Sequence, residues 1–401
     1  MQHPEDQQAI PSLTITTPAG SYDVLVGPNL LQELPARLQV LGLSGTLWLI
    51  SDGQVYPHHG AAVEGLLRGV GYRIESYAVQ SGEASKDLAV VSKLYDWMIG
   101  GAVERRDVVL ALGGGVVGDL AGFVAATVLR GIALIQLPTT LLAMVDSALG
   151  GKTGVNHSLG KNLIGAFHQP RLVLSDTNTL ATLPSRELRA GWAEVIKHAV
   201  IRDAGLFELL EKHSGVSIQE PEGVVSSIAQ DGVELRRSAK QILNADSWLL
   251  NSIIRRAAQV KVDVVNIDER ETGERMLLNY GHTLGHALEA LTGYGTLLHG
   301  EAVAIGMELA AQVALRMELW GPESVERQRA LLQAYGLPIA IPASVDPARL
   351  LELTLRDKKV RAGRVRWVLP TAIGMAEVRD DVQEDLVRAV VEAAGAARSA
   401  N

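Results

Sequence analysis

The fold of this chain of 401 residues is decided by the stretch VVLALGGGVVGDLAGFVAAT, which runs from Val108 to Thr127. Its first five residues form a continuous apolar run, as in strands that are buried on both faces. Glycines at 113–115 follow, and a helical pattern begins directly after them. A glycine turn between a strand and a helix lets backbone N–H groups and the helix dipole face an anion such as a pyrophosphate. The stretch therefore predicts a strand–turn–helix unit with a dinucleotide as its candidate ligand.

The glycine run does not spell G-x-G-x-x-G, so a tight turn or close helix packing is the alternative explanation. Asp119 lies near the start of the predicted helix. A carboxylate at that position suits a ribose or nicotinamide partner, but it also suits a simple helix cap. The spacing alone leaves both interpretations open.

The first half of the chain alternates short β-rich runs with helical patterns. Strands are predicted at 13–16, 22–26, 46–51, 72–79, 108–112, 132–137 and 172–175, and helices at 61–68 and 85–99. This alternation predicts a Rossmann-like α/β domain with a mostly parallel sheet over residues 13–184, and this domain contains the candidate dinucleotide site. Residues 1–12 lack the basic start and apolar centre of a signal peptide and are predicted to be a flexible leader.

After Pro184 the strand signal nearly ends, and amphipathic helical patterns continue to Ala397. We therefore predict an all-α second domain over residues 185–401. One short strand pair at 358–368, turned at Gly363, is the exception that the pattern allows. The segment 214–223, rich in Gly, Ser and Pro, is predicted to be a surface loop.

Composition restricts the classes of function. Lys and Arg number 37 against 45 Asp and Glu, and the net charge of −8 argues against binding to nucleic acid. The chain has no cysteine, so any metal must be bound by His and carboxylates. The apolar region 108–145 is interrupted by Asp119, Arg130 and Pro138, which argues against a membrane span. We expect a cytoplasmic protein without a membrane partner.

A second glycine-rich stretch, LPTTLLAMVDSALGGKTGVNHSLGKNLIGAF, covers residues 137–167. Its polar side chains lie between glycines and apolar residues: Thr139, Thr140, Asp146, Lys152, Asn156, Lys161 and Asn162. Lysines in so weakly charged a stretch indicate binding of a phosphate or carboxylate, whereas solvated surface lysines are the alternative.

The helix predicted to begin at Ser185 carries two charged residues, Glu194 and Lys197, on the side opposite its apolar stripe. Their i,i+3 spacing is typical of an exposed ion pair. A role as site residues is the alternative, and it depends on histidines elsewhere in the chain.

Such histidines occur in LNYGHTLGHALEALT, residues 278–292. His282, His286 and Glu289 share the helix face opposite the leucines, and Gly285 permits close approach between the histidines. Two histidines at i,i+4 can bind one divalent ion, and His299 follows shortly afterwards. These residues predict a metal site built from histidines and Glu194, and helical spacing alone favours His286 as the partner of His282.

Five long strings resemble, in order, the 3-dehydroquinate synthase family: GGGVVGDLAGF, the stretch 137–170, GWAEVIKH, DERETGERMLLNYGHTLGHALEA and LLHGEAVAIGM. The resemblance covers about residues 13–391. It implies that Glu194, His282 and His299 bind a zinc or cobalt ion, and that His286 is catalytic rather than a ligand. Helical spacing and resemblance thus disagree about the second histidine.

The resemblance also implies two further sets of residues. NAD contacts correspond to Asp52, Glu83, Lys86, Gly115, Asp119, Thr139, Thr140, Thr179 and Thr182, with Lys152 and Lys161 close to the cofactor. Substrate contacts correspond to Arg130, Asp146, Lys152, Asn162, Lys197, Lys261, Arg275, Asn279 and one of Lys358 or Lys359.

The implied activity is the second step of the shikimate pathway, towards chorismate and aromatic amino acids. A seven-carbon sugar-acid phosphate, 3-deoxy-D-arabino-heptulosonate 7-phosphate, would be transiently oxidised by NAD, lose phosphate, be reduced again and close by an intramolecular aldol reaction. The family also implies a homodimer. A related cyclase of sedoheptulose 7-phosphate, a metal-dependent polyol dehydrogenase and a non-catalytic binding module are the alternatives.

Overall fold

A computed structural model describes residues 12–214, 247–293, 295–359 and 365–397. The chain forms two compact units, Met1–Leu183 and Pro184–Asn401. The predicted leader, apart from residue 12, and the predicted loop 214–223, apart from Ser214, lie outside the described residues. Among the described helices, none is both long enough and apolar enough to cross a membrane.

The first unit is built on a seven-stranded sheet with the order β1-β2-β9-β6-β5-β3-β4. Its strands are β1 (Leu13–Thr17), β2 (Gly20–Gly27), β3 (Leu47–Asp52), β4 (Ile74–Val79), β5 (Val108–Gly113), β6 (Ala133–Pro138) and β9 (Leu172–Asp176). β1 is antiparallel to β2, and the other neighbours are parallel. The predicted α/β fold with a mostly parallel sheet is confirmed.

Helices cover both faces of this sheet: α1 (Leu34–Val40), α2 (Ala61–Gly69), α3 (Leu88–Gly100) and α4 (Gly115–Thr127). Alternate residues of β3 pack on opposite faces of the sheet. Trp48 and Ile50 pack with residues of α3 and α4, whereas Leu47 and Leu49 pack with residues of α1 and α2. Because each such side chain contributes about 1.5–3 kcal/mol on leaving water, the continuous apolar runs specify interior strands.

A hairpin of β7 (Lys152–His157) and β8 (Gly160–Phe167) also belongs to the first unit, and sequence reasoning missed it. Glycines within both strands interrupt the alternation of apolar and polar residues that would indicate a strand. A Cβ atom on Gly165 would lie 2.3 Å from the carbonyl oxygen of Thr153, so the two strands approach too closely there for a larger residue. Lys152 and Lys161 therefore lie on strands rather than in an irregular loop.

The second unit is mainly helical, as predicted. Its helices are α5 (Ser185–Arg202), α6 (Ala204–Ser214), α7 (Ser247–Ile267), α8 (His282–Thr292), α9 (His299–Arg316), α10 (Pro322–Ala334), α11 (Pro347–Lys359) and α12 (Glu384–Ala397). It is not all-α, because β10 (Trp367–Ala372) and β11 (Met375–Arg379) form an antiparallel hairpin. This hairpin turns at Gly374, not at Gly363, because Gly374 has a φ of 85° that favours glycine. Gly363 lies outside the described residues.

Candidate active site

The glycine turn of the first unit joins β5 to α4, which begins at Gly115. A Cβ atom on Gly114 would lie 2.9 Å from Cγ2 of Thr140, and one on Gly115 would lie 2.9 Å from Oγ of Ser147. Close packing therefore requires these glycines, but it also leaves the N-terminus of α4 free of side chains. The close-packing explanation is thus confirmed, and binding of a dinucleotide at this turn stays a prediction.

The turn occupies the point at which the strand order reverses. From β3 the chain first adds β4 on one side, and then adds β5 and β6 on the other. In open α/β sheets, ligands bind outside the carboxyl ends of the strands at such a position. The predicted cofactor residues lie at or after carboxyl ends of strands: Asp52 at the end of β3, Glu83 and Lys86 after β4, Gly115 and Asp119 after β5, Thr139 and Thr140 after β6, and Thr179 and Thr182 after β9.

Asp119 pairs with a lysine from the segment that follows β4. Its Oδ2 lies 2.5 Å from Nζ of Lys86, whose side chain is 5% exposed. Burial raises the pKa of the Asp119 carboxyl, and the charge of Lys86 opposes that rise. The residue that caps α4 is Gly114, so Asp119 is not a helix cap. The structure thus excludes the simple alternative for this carboxylate.

Two buried hydroxyl groups near the turn fit a polar ligand. Oγ1 of Thr139 and Oγ of Ser147 have no hydrogen-bond partner among the described residues. Buried polar atoms normally have a partner, and a bound nucleotide would supply one. Sequence reasoning included Thr139 and missed Ser147, whose only signal was its place in the glycine-rich stretch. The residues around the turn therefore fit NAD.

The neighbouring cofactor candidates are fixed by hydrogen bonds. Oδ1 of Asp52 accepts from the Oγ of Ser81 at 2.9 Å, and Oγ1 of Thr182 is 2.8 Å from Nε2 of His59. Glu83 is tied to the hairpin, because its Oε1 accepts from Nδ2 of Asn156 at 2.7 Å. Sequence reasoning missed Ser81 and His59, since neither occurs in the strings that carry the resemblance.

The anion candidates of the first unit include strained residues. Leu129 and Arg130 have φ values of 50° and 68°, and Asn162 has a φ of 58°. Residues other than glycine adopt this region at a cost of about 1–3 kcal/mol each, and such strain clusters at functional sites. Arg130, Lys152 and Asn162 are exposed, whereas Lys161 and Asp146 are partly buried. Three of the exposed or partly buried groups are cations, which suits an anionic ligand.

The second unit brings Glu194 of α5 close to His282 and His299, the first residues of α8 and α9. Nε2 of His282 lies 3.6 Å, and Nε2 of His299 3.5 Å, from Oε1 of Glu194. One ligand atom from each residue lies within 4.8 Å of the others. This is the composition that a chain without cysteine can offer a divalent ion.

Glu194 and Lys197 form an ion pair, but it is not exposed. Their side chains are 0% and 1% accessible, because α5 is buried on all sides from Ala190 to Ile201. The expectation that the pair lies on a surface face is wrong. Helical spacing shows which residues share a face, whereas neighbouring helices decide whether that face meets water. A buried carboxylate needs positive partners, and a metal ion with Lys197 would supply them.

Both histidines are oriented by their second ring nitrogen. Nδ1 of His282 is 3.0 Å from the carbonyl oxygen of Tyr280, and Nδ1 of His299 is 3.2 Å from Oε2 of Glu289. Metal-binding histidines are held in this way, with the other nitrogen directed at the metal. The group therefore fits a divalent ion.

His286 lies beside this group with an exposed side chain. Its ring centroid is 5.3 Å from that of His282 and 6.0 Å from that of His299. A second group, His286, Glu289 and His299, also has ligand atoms within 4.8 Å. Of these two groups, the first contains Glu194, and both of its histidines direct Nε2 at that carboxylate. The i,i+4 pair does not by itself form a group with Glu194.

Glycines allow α5, α8 and α9 to approach closely enough for Glu194, His282 and His299 to form this group. A Cβ atom on Gly300 would lie 1.9 Å from the carbonyl oxygen of Ala190 in α5. A Cβ atom on Gly306 would lie 1.9 Å from the carbonyl oxygen of Gly281, directly before α8. Only glycine allows such backbone contact, so α5, α8 and α9 can place their ligands around one point.

The remaining polar candidates of the second unit are largely buried. Lys261 is 7% and Arg275 is 1% exposed. Nδ2 of Asn279 donates to Oε1 of Glu271 at 2.6 Å. Cations buried to this degree are held in fixed positions, which suits binding of a defined anion. The side chains of Lys358 and Lys359 lie outside the described residues.

Known proteins match almost the whole chain. Residues 76–190 match the N-terminal domain of 3-dehydroquinate synthase, and residues 228–360 match its C-terminal domain. A 3-dehydroquinate synthase from Nostoc punctiforme is 46% identical over 380 residues, which are 95% of this chain and 98% of that protein. The chain belongs to the 3-dehydroquinate synthase family.

Two solved structures extend the family likeness to the fold. A 2-epi-5-epi-valiolone synthase from Streptomyces hygroscopicus, with NAD+ and Zn2+ bound, is 31% identical with a TM-score of 0.81, covering 94% of this chain and 97% of that one. A 2-deoxy-scyllo-inosose synthase complexed with carbaglucose-6-phosphate, NAD+ and Co2+ is 28% identical with a TM-score of 0.79, covering 96% and 99%. Both are sugar-phosphate cyclases, so this 3-dehydroquinate synthase family member has their architecture.

In this family member, Asp268 fixes the loop that carries Arg275, and sequence reasoning missed it. Its carboxylate accepts backbone N–H groups of Thr272 at 3.0 Å, Gly273 at 2.7 Å and Arg275 at 3.1 Å. Burial alone would raise the pKa of Asp268, but these donors outweigh burial and lower the pKa to about 2. An aspartate before a Thr-Gly turn was the available signal.

Replacing Asp268 by asparagine should destabilise the protein by about 1.5–3 kcal/mol at neutral pH, because hydrogen bonds to a charged acceptor are lost. Since the folded-state pKa of Asp268 is depressed, this contribution is present above pH about 4 and falls as the pH decreases towards 2. Urea unfolding of both proteins between pH 3 and pH 7 would measure it. A difference that does not shrink at low pH would contradict the role of the charge.

Proposed function

We propose that this chain is a 3-dehydroquinate synthase that converts 3-deoxy-D-arabino-heptulosonate 7-phosphate into 3-dehydroquinate and phosphate, using NAD and one zinc or cobalt ion. The observation that carries the proposal is the buried carboxylate of Glu194 facing Nε2 of His282 and His299, in a chain of this family. The relatives that bear this name, and the two cyclases with NAD and a metal, support it.

Glu194, His282 and His299 would hold the metal ion, which when bound supplies Lewis acidity towards a substrate hydroxyl or carbonyl group. Lys197 would keep a fixed positive charge at the edge of this group, because it contacts Glu194 within the core. His286 would transfer a proton, since its imidazole is exposed next to the two histidines. Lys261, Arg275 and Asn279 would orient the sugar acid.

The carboxyl edge of the sheet would hold NAD, which when bound accepts a hydride and returns it. The N-terminus of α4, free of side chains at Gly114 and Gly115, would receive the pyrophosphate. Asp119, held by Lys86, would bind the ribose or nicotinamide end. Asp52, Glu83, Thr139, Thr140, Thr179 and Thr182 would complete the pocket, with Lys152 and Lys161 nearby.

If the proposal is right, NAD is required but not consumed, because one hydride is taken and returned in each turnover. With the sugar-acid phosphate, NAD and zinc present, phosphate should accumulate while NADH absorbance stays flat. The cyclic product would be identified by NMR. Stoichiometric formation of NADH would instead indicate a polyol dehydrogenase.

The likeness to 2-epi-5-epi-valiolone synthase makes a related sugar-phosphate cyclase the second candidate. Sedoheptulose 7-phosphate is the substrate that separates the two, because it lacks the carboxylate of a sugar acid. We expect turnover of the heptulosonate phosphate and little of sedoheptulose 7-phosphate. The reverse preference would select the second candidate.

Arg130 and Lys152 are proposed to bind the anionic substrate, so replacing either by alanine should impair use of that substrate much more than it weakens NAD binding. Losing a hydrogen bond to a charged group costs about 1.5–3 kcal/mol, which is roughly a 10–150-fold loss in kcat/KM. Arg73 provides the control, because it is an exposed arginine directly before β4 that pairs with Glu75 and is not a candidate site residue. If both variants matched Arg73→Ala in turnover, the anion site would lie elsewhere.

We also propose a homodimer in the cytoplasm. Leu159, Leu163 and Phe167 are 84%, 62% and 44% exposed on the β7–β8 hairpin, and among the described strands β8 pairs only with β7. Apolar side chains at an open strand edge support an interface. NAD and phosphorylated sugars do not cross membranes unaided, which supports the location. Sedimentation velocity of the wild type and of Leu163→Asp tests the homodimer. Cell fractionation tests the cytoplasmic location.

A further inference from the structure

We infer that Glu289 is a positioning residue of the metal site, which holds His299 so that Nε2 rather than Nδ1 is directed at the metal. This inference rests on the proposed function only in taking Glu194, His282 and His299 as the ligands. Glu289 lies in α8 two helical turns beyond His282. One helix would therefore supply a ligand and the residue that orients the ligand of its neighbour.

The contact itself is direct and buried. Oε2 of Glu289 is 3.2 Å from Nδ1 of His299, and the glutamate side chain is 3% exposed. On the other side of the same ring, Nε2 of His299 is 3.5 Å from Oε1 of Glu194. The imidazole thus lies between two carboxylates. Fixing one nitrogen by a hydrogen bond determines the tautomer and leaves the other available as a ligand.

The two histidines differ in how they are held. His282 is oriented by a backbone atom, the carbonyl oxygen of Tyr280, which a side-chain substitution does not remove. His299 is oriented by a side chain, and at 32% its own side chain is more exposed than that of His282. The orientation of His299 therefore depends on Glu289, and a carboxylate acceptor also increases the basicity of the imidazole.

A direct metal-ligand role is the alternative for Glu289, because His286, Glu289 and His299 also have ligand atoms within 4.8 Å. The geometry favours orientation. Glu289 already lies at hydrogen-bond distance from Nδ1 of His299, whereas His286 is exposed and Glu194 is fully buried against both Nε2 atoms. If Glu289 were a ligand in place of Glu194, zinc binding would survive the loss of Glu194 but not the loss of Glu289. Zinc affinities of the variants therefore distinguish the two roles.

The test is the zinc affinity of purified Glu289→Leu and Glu289→Gln proteins, measured without substrate by competition with a chelator. Leucine removes the acceptor and should weaken zinc binding by about 10–100-fold. Glutamine keeps an oxygen that accepts from Nδ1, so it should restore most of the affinity even if the leucine variant folds poorly. Glu308→Gln is the matched control, because Glu308 is buried at 6% in α9 and binds Arg329 instead of a histidine.

Two results would overturn the inference. Unchanged zinc affinity in both Glu289 variants, with only a lower Tm, would indicate a purely structural carboxylate. Complete loss of zinc in Glu289→Leu and Glu289→Gln, beside retained zinc in Glu194→Ala, would make Glu289 a ligand. A wild type that binds zinc but forms no 3-dehydroquinate would refute the proposed function alone, and the ranking of zinc affinities would still decide the role of Glu289.

Discussion

Replacing His299 by alanine is expected to remove tightly bound metal and activity together. Glu194→Ala and His282→Ala should do the same, because each leaves only two protein ligands for the ion. The loss of affinity should exceed the roughly 10–100-fold that is typical of partners outside the coordination shell. Elemental analysis of dialysed proteins would measure metal content, and circular dichroism would show that each variant is folded.

His286→Ala is the matched comparison, since it removes an imidazole from the same cluster. It should retain near-stoichiometric metal while turnover falls by about 10²–10⁴-fold, as expected for a lost proton-transfer group. A metal-free His286→Ala beside a metal-replete His299→Ala would show that helical spacing, not the family resemblance, identifies the second histidine ligand.

The second large effect is expected from Gly300→Ala. The new methyl group would lie 1.9 Å from the carbonyl oxygen of Ala190, so α9 must move away from α5. Overpacking of this kind costs about 1–3 kcal/mol or more. Because His299 is the adjacent residue and Glu194 lies in α5, the shift should also weaken zinc binding. Tm and zinc affinity would be measured on the same preparation.

Gly65→Ala supplies the control for this prediction. Gly65 is a helical glycine in α2, and a Cβ atom there would meet nothing within 4 Å. That substitution should stabilise the protein by about 0.4–1 kcal/mol, because alanine restricts the unfolded chain. If Gly300→Ala behaved like Gly65→Ala, the helices would not need backbone contact to form the metal group.

The local sequence pattern was sufficient to predict the strands of the main sheet, but it was insufficient to predict the β7–β8 hairpin. Continuous apolar runs such as Val108–Gly113 predicted strands correctly, because a strand covered on both faces must be apolar throughout. The hairpin Lys152–Phe167 was not predicted, because it contains lysines, asparagines and glycines whose positions are set by close contact between its strands. The hairpin from Trp367 to Arg379 was also not predicted at its observed position, because its turn depends on the left-handed backbone of Gly374.

The sequence by itself determined the order of the seven strands of the main sheet, the glycine turn after β5 and the absence of cysteine ligands, since these depend on residue type and period alone. Only the tertiary structure decided that Glu194 and Lys197 are buried, that Asp119 pairs with Lys86, and that His299 rather than His286 directs a nitrogen at Glu194. Periodicity describes one helix, whereas a buried metal group requires three helices in contact. That contact depends on the glycines at 281, 300 and 306, whose effect appears only when another backbone lies against them.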